Sequence, residues 1–169
     1  MSSTLRLGEI LKGNLSTYTI TKQLHPSVWL ATNLAGVNSI IKSVRHWRLE
    51  NERDVLRRFQ DRAPGLRPLV DEIQHAEGEL EAPAIVLRWF ENDALNACSR
   101  RRLTRREVKY VAKTVLEALE VLHGKGFVHT DIKPNNILVD YNSQKTRIST
   151  APLGDLAGDR QPFLTFGIH

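Results

Sequence analysis

Apolar and polar positions alternate through much of the first ninety residues. Residues 18–21 (Tyr-Thr-Ile-Thr) and 28–32 (Val-Trp-Leu-Ala-Thr) are rich in β-branched and aromatic side chains, which suit a pleated, half-buried surface. Residues 33–36 read as a turn, and 37–44 as the next strand. In that strand the two-residue period puts Ile40, Lys42 and Val44 on one face. A lysine sharing a face with two apolar residues needs a partner. The period then lengthens. Across 47–60, Leu49, Glu52, Leu56 and Phe59 fall at helical spacing on one side, while Glu50 points away with Arg53 and Arg57. Glu52, unlike Glu50, is therefore expected to project toward the body of the domain. Pro64 and Gly65 close this helix, and 69–73 and 84–88 are further strands. The clearest helix follows. Thr104 with Glu107 three residues on reads as a capping box. Val108, Val111, Ala112, Val115, Leu116, Leu119 and Leu122 recur after it, and Gly124 is placed to end it. A β-rich first half, a linker near 89–95 and then a helix describe a two-lobed order.

Composition narrows the class. At 169 residues, 41% hydrophobic and 25% charged, the chain has the make-up of a folded globular domain rather than a disordered one. No apolar run approaches the roughly 20 residues of a membrane span, and residues 1–10 lack the apolar core of a secretory signal. Cys98 is the only cysteine, so no internal disulfide forms. The expectation is an intracellular protein, cytoplasmic or nuclear, with no membrane partner. Arg100, Arg101, Arg102, Arg105 and Arg106 account for the whole net charge of +5; the other 19 basic residues face 19 acidic ones. Such a cluster can bind polyanions. No aromatic residue is interleaved to stack on bases, so the expected role is a solvated helix start with its flanking turn, and nucleic acid is not the expected partner.

The sharpest feature is His129-Thr130-Asp131-Ile132-Lys133-Pro134-Asn135-Asn136, followed by apolar 137–139. A polar turn matched by chance is the plain alternative. Five specified positions in eight, between an amphipathic helix and an apolar strand, weigh against it. The segment resembles the catalytic loop of eukaryotic-type protein kinases and its flanking strand. The resemblance implies that Asp131 meets the attacking hydroxyl, Lys133 neutralises charge on the transferred phosphate and Asn136 reaches a metal. It extends to Ile40-Ile41-Lys42, similar to the strand whose lysine holds the α- and β-phosphates, and to Glu52 as the glutamate orienting that lysine. Alone, Lys42 and Glu52 are ordinary surface residues; their spacing before the loop raises both to site residues. Leu87 and Trp89 fall where such kinases have the gatekeeper and the adenine-pairing hinge. Asp155, in Leu153-Gly154-Asp155-Leu156, resembles the magnesium-holding aspartate of D-F-G, although the motif here continues Ala157-Gly158. The implied fold is α+β and protein kinase-like. Residues 1–90 form an antiparallel β small lobe with one helix, and 91–169 form an incomplete, mainly α large lobe. The implied cofactors are ATP and magnesium, and the implied activity is phosphoryl transfer to protein Ser/Thr hydroxyls.

Four departures shape further expectations. Gln23-Leu24-His25-Pro26-Ser27 stands where the family has a glycine-rich loop, so weaker nucleotide binding is expected. Thr130 replaces an arginine that pairs with a phosphorylated activation loop. The D-F-G equivalent is altered. The sequence ends before the motifs of the later large lobe, which implies impaired turnover and a partner or self-association covering the 104–122 helix. The alternative function is a pseudokinase-like module that binds nucleotide or a partner without turnover. A small-molecule phosphotransferase shares the aspartate–asparagine spacing, but Lys133 argues against it.

Overall fold

The computed structural model describes residues 5–59, 61–73 and 82–156. They fall into two compact units, one within Met1–Arg53 and Pro68–Trp89, the other within Asp54–Arg67 and Phe90–His169.

The first unit is built on a six-stranded antiparallel sheet of β1 (Ile10–Lys12), β2 (Thr17–His25), β3 (Val28–Asn33), β4 (Asn38–Ser43), β5 (Leu69–Glu72) and β6 (Ala84–Arg88). Its spatial order is β1-β2-β3-β4-β6-β5. The register aligns Trp29 with Ile41 and Ile41 with Val86. These residues share one face with Tyr18, Ile20, Ala31 and Ala84 and form the core. Trp29 and Ile41 are essentially sealed from water, and burying side chains of this size contributes roughly 1.5–3 kcal/mol each. The β3–β4 turn is held by the Asn33 carboxamide, whose Oδ1 accepts from the amides of Ala35 (3.0 Å) and Val37 (2.9 Å). Gly36 there takes a φ of +77°, which costs glycine nothing. The β2–β3 connection is the two-residue Pro26-Ser27, and the register slips between Ile20 and Lys22 and again between Gln23 and His25. Each slip is a bulge that bends and twists the hairpin.

Asp71 on β5 is the unit's polar anchor. Its buried carboxylate accepts from the amides of Asn14 (3.0 Å), Leu15 (2.9 Å) and Ser16 (3.1 Å) and from the Tyr18 hydroxyl (3.0 Å). Burial alone would raise its pKa; the hydrogen bonds from Leu15, Glu72, Tyr18 and Ser16 outweigh burial and hold it below the usual carboxylate range. Burial beside this carboxylate pushes the Tyr18 phenol upward. Strand β1, absent from the sequence reading, is tied in through this turn. Helix α1 (Trp47–Phe59) starts where the His46 carbonyl accepts from the Leu49 amide and the His46 Nδ1 accepts from the Arg48 amide.

The second unit contains α2 (Ala94–Arg100), α3 (Arg105–His123) and a small sheet of β7 (Asn92–Asp93), β8 (Leu138–Tyr141) and β9 (Ile148–Thr150), ordered β7-β8-β9. The expected linker at 89–95 instead includes β7 and the start of α2, because Asp93 caps that helix by accepting from the Asn96 amide at 2.8 Å. The capping box of α3 is present as expected. Glu107 does more than cap. It is buried, takes a bidentate pair with Arg101 (2.9 and 2.5 Å) and accepts from the Ile148 amide of β9 at 3.1 Å. The expectation of a wholly solvated arginine cluster is thus corrected at Arg101. One face of α3 buries Val115, Ala118 and Leu122, while Val108 and Leu116 are exposed at 52% and 64%. Gly124 caps α3 in a right-handed conformation, and the left-handed residue is Gly126. Gly65 lies so close to α3 that a Cβ there would sit 2.5 Å from the Thr114 carbonyl and 3.1 Å from the Ala118 Cβ.

Candidate active site

In the first unit, the alternation of β4 sets Lys42 on the face opposite the Ile41 core, in register with Val28 and Ile85. The helical period of α1 turns Glu52 inward. The Lys42 Nζ donates to both Glu52 oxygens at 2.9 Å; the glutamate side chain is 1% exposed and the lysine 18%. Glu50 is exposed. A carboxylate this deep is tolerable only because a cation meets it. Leu87 is fully buried near the end of β6, paired with Ile40 on one side and Leu69 on the other, and Trp89 follows just past the strand.

In the second unit, the chain leaves α3 through Phe127 and Val128 and enters the polar segment at His129. Pro134 opens a short 3-10 turn, Pro134–Asn136, that leads into β8. This turn brings the Asn136 side chain back over Asp131. Its Nδ2 donates to the Asp131 carbonyl at 2.8 Å and to Oδ2 at 3.0 Å. Lys133 reaches the same Oδ2 at 2.6 Å. The hydrogen bond from Lys133, with a smaller one from Asn136, outweighs desolvation and lowers the Asp131 pKa; the same Lys133 bond raises the pKa of Lys133. Asp131 is accordingly ionised at neutral pH, and about half of its side chain is open to solvent.

Asp155 is fixed against this loop by main chain. The Gly154 amide donates to the Asn136 carbonyl at 2.7 Å. A Cβ on Gly154 would come within 3.3 Å of Leu138. Asp155 itself holds a φ of +58°, in the left-handed region that few residues other than glycine, asparagine and aspartate adopt. Its negative charge is also felt at Lys133. Ala157 and Gly158, and the tail after them, lie outside the described residues.

His129, to which sequence reasoning gave no role, lies in contact with the candidate site residues. It is buried, and its Nδ1 accepts from the Asp131 amide at 3.2 Å. Nδ1 must then be unprotonated, so Nε2–H donates to the Gly154 carbonyl at 2.9 Å. One imidazole joins the Asp131 segment to the Asp155 segment. Its position two residues before Asp131 was the available signal. Thr130 is exposed.

The donor set suits magnesium. With its Nδ2 used on Asp131, Asn136 has its amide oxygen left as an acceptor, and Asp155 adds a carboxylate on the adjoining segment. Hard oxygen donors of this kind, one or two per ion, are what magnesium takes from protein when phosphates supply the rest.

Comparison with known proteins agrees with this geometry. A family model described as protein kinase domain matches residues 37–152. Among solved structures, that of vaccinia related kinase 3 superposes with a TM-score of 0.67 at 19% identity, over 91% of this chain and 52% of that one. The likeness shows a kinase fold, with an antiparallel small lobe and a large lobe of which this chain carries part; the chain spans about half the length of the kinase it matches. With the family model covering well over half of its residues, the chain belongs to the protein kinase domain family.

Proposed function

We propose that this chain acts as an ATP- and magnesium-dependent protein kinase domain that transfers the γ-phosphoryl group to Ser/Thr hydroxyls of a protein. The nucleotide belongs to residues 1–90 and the catalytic loop to 91–169. The observation that carries this reading is the network in which Lys133 and Asn136 converge on the Asp131 carboxylate. Asp131 accepts a hydrogen bond from the incoming hydroxyl, orients it and takes its proton. A carboxylate held below its usual pKa is a weak base, so orientation is the larger part of its work. Lys133, whose charge is secured by the same contact, supplies a cation for the transferred phosphate. Lys42, steadied by Glu52, holds the α- and β-phosphates. Leu87 and Trp89 border the adenine. Asn136 and Asp155 hold magnesium, which when bound neutralises charge on the phosphate oxygens.

The test is Asp131→Asn in a phosphoryl-transfer assay against a mixture of Ser- and Thr-containing peptides, with nucleotide binding measured in parallel. Turnover is expected to fall at least 100-fold, the scale of a lost acid–base group, with nucleotide affinity within about threefold of the parent. An unchanged rate would remove Asp131 from the role.

One observation favours a second reading, a nucleotide- or partner-binding module with little turnover. The tip of the β2–β3 hairpin is Pro26-Ser27, closed without glycine, so side chains stand where backbone could otherwise approach phosphates. A magnesium-dependent rise in thermal midpoint with ATP, without turnover on any peptide, would decide for this reading.

A further inference from the structure

The arginine run from the end of α2 to the start of α3 flanks a hydroxyl that the proposed reaction does not use. Arg100, Arg101 and Arg102 precede Thr104 by four, three and two residues, and Arg105 and Arg106 follow it. No acidic residue occurs from Ala94 to Arg106. Thr104 is exposed, as are Arg100, Arg102, Arg105 and Arg106. The backbone reaching it is extended, with φ/ψ of −158°/153° at Arg101 and −69°/156° at Thr104. A protein kinase reads its acceptor as an extended segment, and one with acidic residues around its cleft gains from arginines just before the hydroxyl.

We propose that Thr104 is a phosphoacceptor for an arginine-directed protein kinase acting in trans, and that the phosphate releases the junction between α2, α3 and β9. In the transfer, Thr104 Oγ forms a bond to the γ-phosphorus of ATP. The bond from that phosphorus to the β–γ bridging oxygen breaks, ADP leaves, and the hydroxyl proton passes through the modifying kinase's base to solvent. The consequence follows from what the hydroxyl now does. It donates to Glu107 Oε2 at 2.9 Å and accepts from the Glu107 amide at 3.3 Å. Glu107 is the buried acceptor that also holds Arg101 and the Ile148 amide. Phosphate at Thr104 replaces the hydroxyl donor with nearly two negative charges beside that carboxylate and competes for the Arg101 guanidinium. Arg101 moves to the phosphate, Glu107 loses its countercharge, and Ile148 loses a firmly held acceptor. Strand β9 is the one that runs on toward Gly154 and Asp155, so loosening it bears on the segment that presents Asp155.

The test incubates the native chain with Mg-ATP, with and without a purified kinase selective for arginine two and three residues before its acceptor. Sites are mapped by tandem mass spectrometry, and amide exchange is followed at Ile148. One phosphate at Thr104 is expected, dependent on the added kinase, absent in Thr104→Ala and kept in Thr104→Ser, which preserves hydroxyl and cap. Arg102→Ala, which removes the arginine two residues before the acceptor and leaves the Arg101–Glu107 pair in place, should slow labelling at least tenfold, and phosphorylated chain should exchange Ile148 at least tenfold faster. If Thr104→Ala fails to fold, site mapping on the parent chain decides. Labelling only at another residue such as Ser99, or only after unfolding in urea, overturns the acceptor assignment. Unchanged exchange at Ile148 in phosphorylated chain overturns the release of the junction.

Discussion

Replacing Glu52 by glutamine tests whether the Lys42–Glu52 pair is a working part of the site. The carboxylate is 1% exposed and both of its oxygens take the Lys42 ammonium at 2.9 Å. Removing one member of a buried pair costs about 3–5 kcal/mol, because the other charge is left without compensation. Two features place this substitution near the low end. Glutamine keeps the volume and one carbonyl acceptor, and Lys42, at 18% exposure, retains some water. A loss of about 3 kcal/mol in a chain of this size lowers the thermal midpoint by roughly 6–12 °C. Lys42 also loses the group that aims it, and a charge-assisted contact to phosphate is worth about 1.5–3 kcal/mol. Nucleotide affinity should then fall roughly 10- to 100-fold. Calorimetric titration with a non-hydrolysable ATP analogue, at a temperature where circular dichroism shows both proteins folded, separates the two effects. Glu50→Gln is the control. Glu50 is exposed, lies two residues away on the same helix, and should change stability by less than about 0.5 kcal/mol and affinity not at all. Equal losses at the two positions would refute the helix-face argument. A destabilised Glu52→Gln that binds nucleotide as well as the parent would refute the aiming role alone.

Lys133→Ala should slow turnover and move the acid limb of the pH–rate profile upward, since Lys133 is the largest cause of the lowered Asp131 pKa; an unmoved limb would mean that Asp131 does not set it. Gly13→Ala forces a Cβ into the Asp71 carboxylate and within 2.9 Å of the Tyr18 ring. Overpacking of this kind should cost about 1–3 kcal/mol in urea unfolding, and a neutral result would mean that the β1–β2 turn shifts freely. Arg101 in particular, with the capping bonds, holds Glu107 far below its unfolded pKa. Its contribution to stability is therefore complete above about pH 4.3 and is lost as pH falls through the lower folded value. The midpoint difference between parent and Glu107→Gln should be constant near neutrality and shrink below about pH 4 in thermal melts; a difference that grows on acidification would reverse the sign of this coupling.

The elements legible in the sequence are those whose burial pattern is local. Strands β2 and β3 alternate, β4 and β6 stand out as short apolar runs, helices α1 and α3 carry a helical period, and α3 carries its own cap at Thr104 and Glu107. The elements that escaped draw their stability from elsewhere in the chain. Strand β1 has three residues, with only Leu11 of them buried, and is held through Gly13 and the Asp71 carboxylate more than fifty residues on. Strand β9 is equally short, and its Ile148 amide is satisfied by Glu107, forty-one residues earlier. Helix α2 has seven residues, too few to display an amphipathic period, and is announced only by the Asp93 cap. No window of sequence a dozen residues wide contains the partners of β1 or β9.

The same distinction governs the site. Glu52 was readable because the period of α1 turns it toward the body of the domain and Lys42 on β4 needs a partner; that the two meet was implied by the family resemblance, and the structure pairs them. Asp131, Lys133 and Asn136 were readable because the 3-10 turn at Pro134 is itself local, so the spacing of the side chains is the spacing of their functional atoms. Asp155 is different. Its adjacency to Asn136 depends on a main-chain bond from Gly154 and on the His129 imidazole spanning from the Asp131 amide to the Gly154 carbonyl. A histidine that is buried and used at both nitrogens looks in sequence like any histidine before an aspartate. The left-handed backbone at Asp155 is likewise invisible until the fold imposes it. The Asp131–Asn136 half of the proposed metal site is thus written in eight consecutive residues. The other half exists only because β8, β9 and His129 return the chain to them, and a change at that distant support can disable the site while leaving every motif residue in place.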